Sequence, residues 1–153
     1  MNSSAEKSIR VSSGSDHRGH EQRKVLARVI EECGHQVDDQ GSFSQESTDY
    51  PDIASVVADQ VIGGQSELGI LVCGTGIGVS IAANKVTGIR AALCKDVPTA
   101  ELSRQHNNAN ILCLAGNEFD PEDYRRIVTA WLAAEFEGGR HARRVDKIKN
   151  LES

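Results

Sequence analysis

The chain has 153 residues and a formal net charge of −5; 39% of its residues are hydrophobic and 25% are charged. These proportions are typical of a globular protein of ordinary domain size. The negative charge argues against a general nucleic-acid or membrane-surface binder, and no apolar run approaches the roughly 18 residues of a membrane span. We therefore expect a cytoplasmic protein with one domain over residues 8–152 and a flexible tail over residues 1–7.

Strand patterns alternate with helix patterns five times along the chain. The predicted strands cover residues 9–11, 36–39, 68–72, 88–94 and 110–114, with a small-residue turn at 12–15 and a loop at 41–47. The predicted helices are one ending at Gly34, one from Pro51 to residues 63–64, one over residues 79–85, one from Pro98 to about residue 106, one from Pro121 to residues 138–139, and a basic one over residues 140–149. This alternation predicts an α/β fold, a three-layer α/β/α Rossmann-like domain with a five-stranded parallel sheet.

The most informative stretch is residues 70–80, where an apolar run leads into a cysteine and three spaced glycines. Cys73 ends the run, and Gly74, Gly76 and Gly78 follow it. Glycines let backbone amides approach a ligand closely, and the start of the following helix adds a positive field. The loop is therefore suited to an anion or to a charge that develops during a reaction, and the same field favours a thiolate at Cys73. A tight turn around a buried cysteine is the structural alternative.

The glycine loop fits neither of the two common nucleotide-binding patterns. In both frames of a Gly-x-Gly-x-x-Gly fingerprint the third glycine is replaced, by Val79 or by Ile81, although Asp96 lies at a suitable distance. The Gly-Lys-Ser/Thr of a P-loop is also missing from the loop. A sugar phosphate or another small anion therefore fits better than a nucleotide.

The sequence offers little for a metal ion. The four cysteines form no Cys-x-x-Cys motif, and Cys94 and Cys113 lie in apolar runs where we expect them to be small core residues. His17 and His20 are spaced to pair as ligands, but no third ligand follows at a convincing spacing. We therefore expect no metal site.

Two polar segments carry groups suited to proton transfer. Asp16 and His17 follow the first strand, whose carboxyl end shares a sheet edge with the Cys73 loop, so the two can meet. A helix N-cap is the alternative role for Asp16. His106 and Asn107 follow the helix that begins at Pro98; a histidine facing a cleft there would exchange protons near neutral pH, and a surface helix end is the alternative.

Two further features concern anion and sugar contacts. Arg140 and Arg144 are four residues apart, hence on one helical face. Their two guanidinium groups can bind one phosphate, either on their own subunit or on a neighbouring one. A solvated basic helix end is the alternative. Tyr50 precedes a helix and either lines the cleft or packs against the protein.

Together these motifs resemble the type B ribose-5-phosphate isomerase family, with its galactose- and allose-phosphate relatives, over residues 9–151. The matching blocks are residues 15–19, 48–51, 73–78, 82–85, 103–107 and 137–141. The resemblance implies an aldose–ketose isomerase that interconverts ribose 5-phosphate and ribulose 5-phosphate through a cis-enediolate, without metal or organic cofactor. It also implies a homodimer, alone or within a dimer of dimers, with its sites between subunits.

The resemblance further implies a role for each site residue. Cys73 would be the base that moves a proton between C1 and C2 of the sugar. Thr75 and the amides of Gly74 to Gly78 would hold the enediolate oxygens, while His106 and Asp16 would assist opening of the furanose ring, with Thr75 sharing that work. The contacts to the sugar would come from Tyr50 and Asn107, and those to the phosphate from His17, Arg140 and Arg144.

Two positions distinguish this chain within the family. Val79 stands where one branch carries a glutamate base, so the chain resembles the cysteine branch. Many members carry a phosphate-binding arginine after the fifth strand, where this sequence has Asn117 and Glu118, neither of which replaces a cationic fork. A hexose 6-phosphate or an unphosphorylated sugar is therefore the alternative substrate. A non-catalytic sugar-phosphate-binding module is the alternative from another class, and it would need no proton carriers such as Cys73 and His106.

Overall fold

The computed structural model describes residues 7–41, 49–117 and 120–152. Its strands are β1 (Arg10–Ser15), β2 (Gln36–Asp39), β3 (Leu68–Cys73), β4 (Ala91–Leu93) and β5 (Ile111–Ala115). Its helices are α1 (His20–Glu32), α2 (Tyr50–Ile62), α3 (Ile77–Ala83), α4 (Val97–Gln105), α5 (Pro121–Ala133) and α6 (Arg140–Lys149). The strands form one parallel sheet in the order β2-β1-β3-β5-β4. The predicted fold class, a three-layer α/β/α arrangement, is confirmed.

The core consists of two apolar clusters, one on each face of the sheet. One cluster joins alternate residues of the central strands to α1, α4 and α5, and its fully buried members include Leu26, Ile70 and Trp131. The other joins the remaining strand residues to α2 and α3, and includes Leu71 and Cys113. Every residue of β3 is buried, as expected for a parallel strand covered on both faces. Cys94 and Cys113 are core residues, as predicted.

The turn predicted over residues 12–15 is wrong, because these residues continue β1 and pair with β3. Their small size serves packing. A Cβ atom on Gly14 would lie 2.7 Å from Cγ1 of Ile53 and 3.0 Å from Cγ2 of Val57, both on α2. Because α2 approaches β1 this closely, a composition that is typical of turns is required in the strand itself.

Three element boundaries also differ from the prediction. Helix α5 ends at Ala133, where Ala134 turns to an extended conformation, and does not continue to residues 138–139. Gly138 and Gly139 have positive φ angles of 70° and 55°, and they lead into α6. The strand predicted over residues 88–94 is confined to β4, and the helix predicted over 79–85 begins earlier, because the left-handed Gly76 starts it.

Two predicted segments fall partly outside the described residues. They are the flexible tail over residues 1–7, of which only residue 7 is described, and the loop over residues 41–47, of which only residue 41 is described. Across residues 7–41, 49–117 and 120–152, no helix combines the length and the apolar character needed to cross a membrane.

Candidate active site

Three loops meet at the carboxyl edge of the sheet, after β1, β3 and β5. The carbonyl oxygen of Cys73 accepts a hydrogen bond from the amide of Gly116 at 2.8 Å, and that of Gly74 accepts one from Asn117 at 2.9 Å. A cavity of about 80 Å³ opens here, and its lining includes Asp16, Arg18, Gln22, Cys73, Gly74 and Asn117. The expectation that Asp16 and Cys73 share an edge is therefore confirmed.

Cys73 differs from the other thiol of the central strands in its access to this cavity. It is the last residue of β3, is 8% exposed and lines the cavity. Cys113 on the neighbouring β5 is fully buried, and that burial, followed by the proximity of Cys73, raises the pKa of the Cys113 thiol. Only Cys73 of these two thiols is thus placed to meet a ligand.

The glycine loop is shaped by close packing beneath it. Gly76 has a φ of +79°, and a Cβ atom there would lie 2.5 Å from Cδ1 of Leu93. Thr75 is exposed, and its hydroxyl oxygen accepts a hydrogen bond from the amide of Ile77 at 3.1 Å, which leaves the hydroxyl hydrogen for another partner. Tyr50 lies against the loop, since a Cβ atom on Gly78 would lie 2.6 Å from its ring.

Asp16 does not serve as the N-cap of α1, so that alternative is wrong. The N-cap is Gly19, and it carries no side-chain cap. The Asp16 carboxylate instead accepts a hydrogen bond from the amide of Arg18 at 3.0 Å, and its backbone carbonyl accepts one from Gly19 at 3.0 Å. This local turn holds the carboxylate, only 8% of the residue being exposed, at the cavity.

Asp96, whose spacing from the glycine loop was compatible with a dinucleotide-binding site, has a structural role. Its carboxylate accepts hydrogen bonds from the amide and the hydroxyl of Thr99, at 2.9 and 2.7 Å, and thereby caps α4. These hydrogen bonds lower the pKa of Asp96. Its Oδ1 atom is therefore engaged in helix capping.

His106 and Asn107 lie at the opposite edge of the sheet from Cys73. They precede β5, and the carbonyl of Asn110 in the same loop accepts a hydrogen bond from Gly69 at the amino end of β3. Cys73 is four residues further along that strand, which corresponds to on the order of 13 Å. Within one chain the predicted ring-opening histidine therefore does not reach the cavity.

The loop that carries His106 is held by two half-buried arginine side chains. The Nε of Arg90 donates to the carbonyls of Asn107 and Asn108, at 3.2 and 3.0 Å, and Arg104 donates to the carbonyl of Ala109 at 2.6 Å. Burial is the main cause that lowers the pKa of both arginines. This arrangement fixes the backbone and leaves the His106 side chain 39% exposed.

His106 stacks on a second histidine beside a shared carboxylate. Its ring centroid lies 4.1 Å from that of His141, with the planes 8° apart. An oxygen of Glu137 lies 3.7 Å from Nε2 of His106 and 3.6 Å from Nε2 of His141. The amide of Glu137 donates to the carbonyl of Gln105, which fixes this segment against the end of α4. The sequence prediction assigned no role to Glu137 or His141.

These three residues are also the one group, within the described parts of the chain, whose donor atoms are clustered closely enough for a metal ion. The nitrogen and oxygen atoms of His106, Glu137 and His141 lie within 4.8 Å of one another. The two rings are nearly parallel, so their in-plane lone pairs run side by side and do not converge on one point. One ring would have to turn before both could bind the same ion. His17 and His20 belong to no such group there.

Arg140 and Arg144 project from α6, which begins beside His106, and both are exposed. The predicted site residues thus fall into two groups. Those at the carboxyl edge are Asp16, His17, Tyr50, Cys73, Gly74, Thr75, Gly76 and Gly78, and those at the opposite edge are His106, Asn107, Arg140 and Arg144.

The cavity also holds Gln22, which the prediction missed. Its position three residues after Gly19, in the first turn of a helix that follows β1, was the available signal.

We expect His141 to make the folded state sensitive to acid. Burial, followed by the proximity of His106 and Arg140, lowers the pKa of His141 below its ordinary value of 6.5. The unfolded chain therefore takes up this proton first, so the stabilisation is complete above about pH 6.5 and is lost as the pH falls through the lowered pKa. The urea midpoint should fall less between about pH 7.5 and 5.5 in His141→Gln than in the wild type.

His20→Gln is the matched control, because His20 is exposed on α1. It should show the same acid-induced fall in midpoint as the wild type. An equal fall in His141→Gln would contradict the assignment of the effect to His141.

The fold and the cavity define an open, parallel α/β protein with a thiol and a carboxylate at the carboxyl edge of its sheet, where such folds bind ligands. The chain matches the family model described as Ribose/Galactose Isomerase over residues 11–148, and it belongs to this family. It is 46% identical over 143 residues to ribose-5-phosphate isomerase B of Escherichia coli (strain K12), a match covering 94% of this chain and 96% of the relative.

Solved structures agree in fold over nearly the whole chain. The type B ribose 5-phosphate isomerase of Trypanosoma brucei superposes with a TM-score of 0.91 at 44% identity, covering 95% of this chain and 100% of the other. Ribose-5-phosphate isomerase B from Mycoplasma genitalium, solved with bound ribulose-5-phosphate, gives a TM-score of 0.87 at 44% identity, covering 94% and 95%. The family resemblance seen in the sequence is confirmed.

Proposed function

We propose that this protein is an aldose–ketose isomerase that interconverts ribose 5-phosphate and ribulose 5-phosphate. The observation that carries the proposal is that the Cys73 thiol and the Asp16 carboxylate line one cavity at the ligand-binding edge of the sheet. The family membership supports the reaction class, and the Mycoplasma genitalium relative was solved with ribulose-5-phosphate bound.

The chemistry at the carboxyl edge begins once the sugar is in its open-chain form. The Cys73 thiolate removes the proton from C2 of the aldose, which leaves a cis-enediolate whose hydroxyl proton is on O2. That hydroxyl proton moves from O2 to the neighbouring O1, and the thiol formed at Cys73 returns its proton to C1, which gives the ketose. The negative charge on the enediolate oxygens is stabilised by the Thr75 hydroxyl and by the backbone amides of residues 74–78. Tyr50, against Gly78, contacts the sugar, and His17 beside Asp16 contributes to holding the phosphate.

Opening of the furanose ring needs a proton delivered to the ring oxygen and another removed from the anomeric hydroxyl. We assign these tasks to His106 and Asp16 as an acid–base pair, with Thr75 assisting. The Glu137 carboxylate lies 3.7 Å from Nε2 of His106, close enough to orient the imidazole ring. Asn107 contacts the sugar, while Arg140 and Arg144 bind the phosphate.

This assignment requires a second copy of the chain. In one copy His106 and Cys73 lie at opposite sheet edges, and the cavity of about 80 Å³ is small beside the roughly 300–1,000 Å³ of complete ligand pockets. A two-fold dimer in which the opposite edge of one copy covers the cavity of the other would complete two equivalent sites. We therefore propose a homodimer, alone or within a dimer of dimers.

The substrate is tested with a panel of sugar phosphates assayed in the presence of EDTA, since the proposed reaction uses no metal. Ribose 5-phosphate should give the highest kcat/KM, ahead of allose 6-phosphate, galactose 6-phosphate and unphosphorylated ribose. Because the matched family model covers ribose and galactose isomerases alike, a hexose 6-phosphate is the competing substrate. A higher kcat/KM for a hexose 6-phosphate would replace the pentose assignment. Binding of all phosphates without turnover of any would indicate a non-catalytic module.

We also propose a cytoplasmic location and a single domain over residues 8–152. All four cysteines are free thiols, which fits a reducing compartment. The five strands share one sheet, and both apolar clusters pack on it, which fits one folding unit.

A further inference from the structure

Arg18 occupies a distinctive place in the Cys73 cavity. Among the described residues that line this cavity, it is the only lysine or arginine, and Asp16 contributes a carboxylate there. A phosphate ester bound beside that carboxylate would meet like charge unless a cation were present. In the proposed dimer, Arg140 and Arg144 reach this cavity from the second copy, whereas Arg18 lies in the same copy as Cys73.

The geometry of Arg18 combines a fixed backbone with an available side chain. Its amide is held by the Asp16 carboxylate at 3.0 Å, in the turn that precedes α1. Its guanidinium is 75% exposed and contacts Asp16 only at 3.5 Å. An exposed ion pair of this length contributes little, whereas a guanidinium fork matches two phosphate oxygens at once. Arg18 can therefore exchange its contact with Asp16 for a bound phosphate with little loss of folding stability.

Asn117 lines the same cavity but brings no charge. Its amide donates to the carbonyl of Gly74 at 2.9 Å, and its side-chain nitrogen lies 3.2 Å from the position that a Gly74 Cβ would occupy. The side chain is thus packed against the glycine loop. The sequence departs from the family arginine in this loop, where it has Asn117 and Glu118, and neither side chain is positively charged.

We propose that Arg18 binds the phosphate monoester of the substrate, and that it supplies a positive charge that neither Asn117 nor Glu118 provides. This inference rests on the proposed isomerase function and deepens it, because it adds an arginine from the same chain as Cys73 to the phosphate contacts of His17, Arg140 and Arg144.

The test is Arg18→Gln, assayed with ribose 5-phosphate and with inorganic phosphate as a competitive inhibitor. Loss of a charge-assisted contact should raise KM and the phosphate inhibition constant together, by roughly 10- to 100-fold, with kcat within about threefold of wild type. Arg28→Gln is the matched control, because Arg28 is exposed on α1 and does not line the cavity. It should leave all three constants unchanged.

A second variant makes the result specific to charge at this cavity. Adding Asn117→Arg to Arg18→Gln should recover most of the lost affinity for phosphate, since the new arginine lines the same cavity. Unchanged KM and phosphate inhibition in Arg18→Gln would overturn the proposal. A fall in kcat at constant KM would also overturn it, because Arg18 would then act at the reacting carbons.

Calorimetric titration of inorganic phosphate separates this inference from the isomerase proposal, since it needs no turnover. If the wild type has no isomerase activity but binds phosphate, and Arg18→Gln weakens that binding, the isomerase proposal is refuted and the phosphate site at Arg18 is supported. An active wild type whose phosphate binding is unchanged in Arg18→Gln would refute the role of Arg18 alone.

Discussion

Replacing Cys73 with alanine should abolish isomerisation while the protein still folds and binds its substrate. The proposed mechanism has one group that carries the proton between C2 and C1, and a positioned acid–base group contributes roughly 100- to 10,000-fold to rate. We therefore expect kcat to fall by at least that range. Two readouts check this: formation of the ketose, and exchange of the C2 proton with deuterium oxide, which should be lost together.

The control for this variant is Cys113→Ala, which removes a thiol from the neighbouring strand. Cys113 is fully buried and outside the cavity, so its removal should leave kcat within about threefold of wild type, with some loss of stability from the small void. Calorimetry with ribose 5-phosphate should show binding to Cys73→Ala close to that of wild type. Full activity in Cys73→Ala would refute the base assignment.

Mixing two inactive variants should restore activity, which is the second large effect. Cys73→Ala damages the carboxyl-edge group and His106→Asn damages the opposite-edge group. In a mixed dimer, one site combines both lesions and the other combines the two intact groups. Random association should therefore return about one quarter of wild-type activity, from two preparations that each have almost none.

The experiment requires the variants to be unfolded and refolded together, or co-expressed, so that subunits exchange. Two versions of the same lesion, Cys73→Ala with Cys73→Ser, form the control and should recover nothing, because every mixed site then lacks the base. A mixture of Cys73→Ala and His106→Asn that forms mixed dimers without activity would show that Cys73 and His106 do not act at a shared interface. Activity of a strictly monomeric wild type would refute the composite site.

The alternation of strand and helix patterns was sufficient to predict most of the fold. Continuous apolar runs such as that of β3 mark parallel strands covered on both sides, and the crossovers between them have one allowed hand. The same logic placed Asp16 and Cys73 at one edge, since each lies near the carboxyl end of a strand. Local composition failed where packing decided the outcome. Residues 12–15 look like a turn, yet they form a strand that pairs with β3. Their small side chains reflect the close approach of α2, which leaves no room for a Cβ at Gly14.

The sequence by itself determined the parallel sheet, the loop after β3 and the family, because apolar patterning, glycine spacing and residue identity are local properties. The order β2-β1-β3-β5-β4 came from the structure. The tertiary structure alone decided which distant side chains meet. It stacked His106 on His141 around Glu137, and it set Arg18 and Asn117 on the walls of one cavity. Such contacts depend on how helices pack on a finished sheet, which no periodicity along the chain encodes. The separation of His106 from Cys73 has a different origin. It follows from the order of elements along the chain, because a loop that precedes a parallel strand lies at the edge opposite to a loop that follows one.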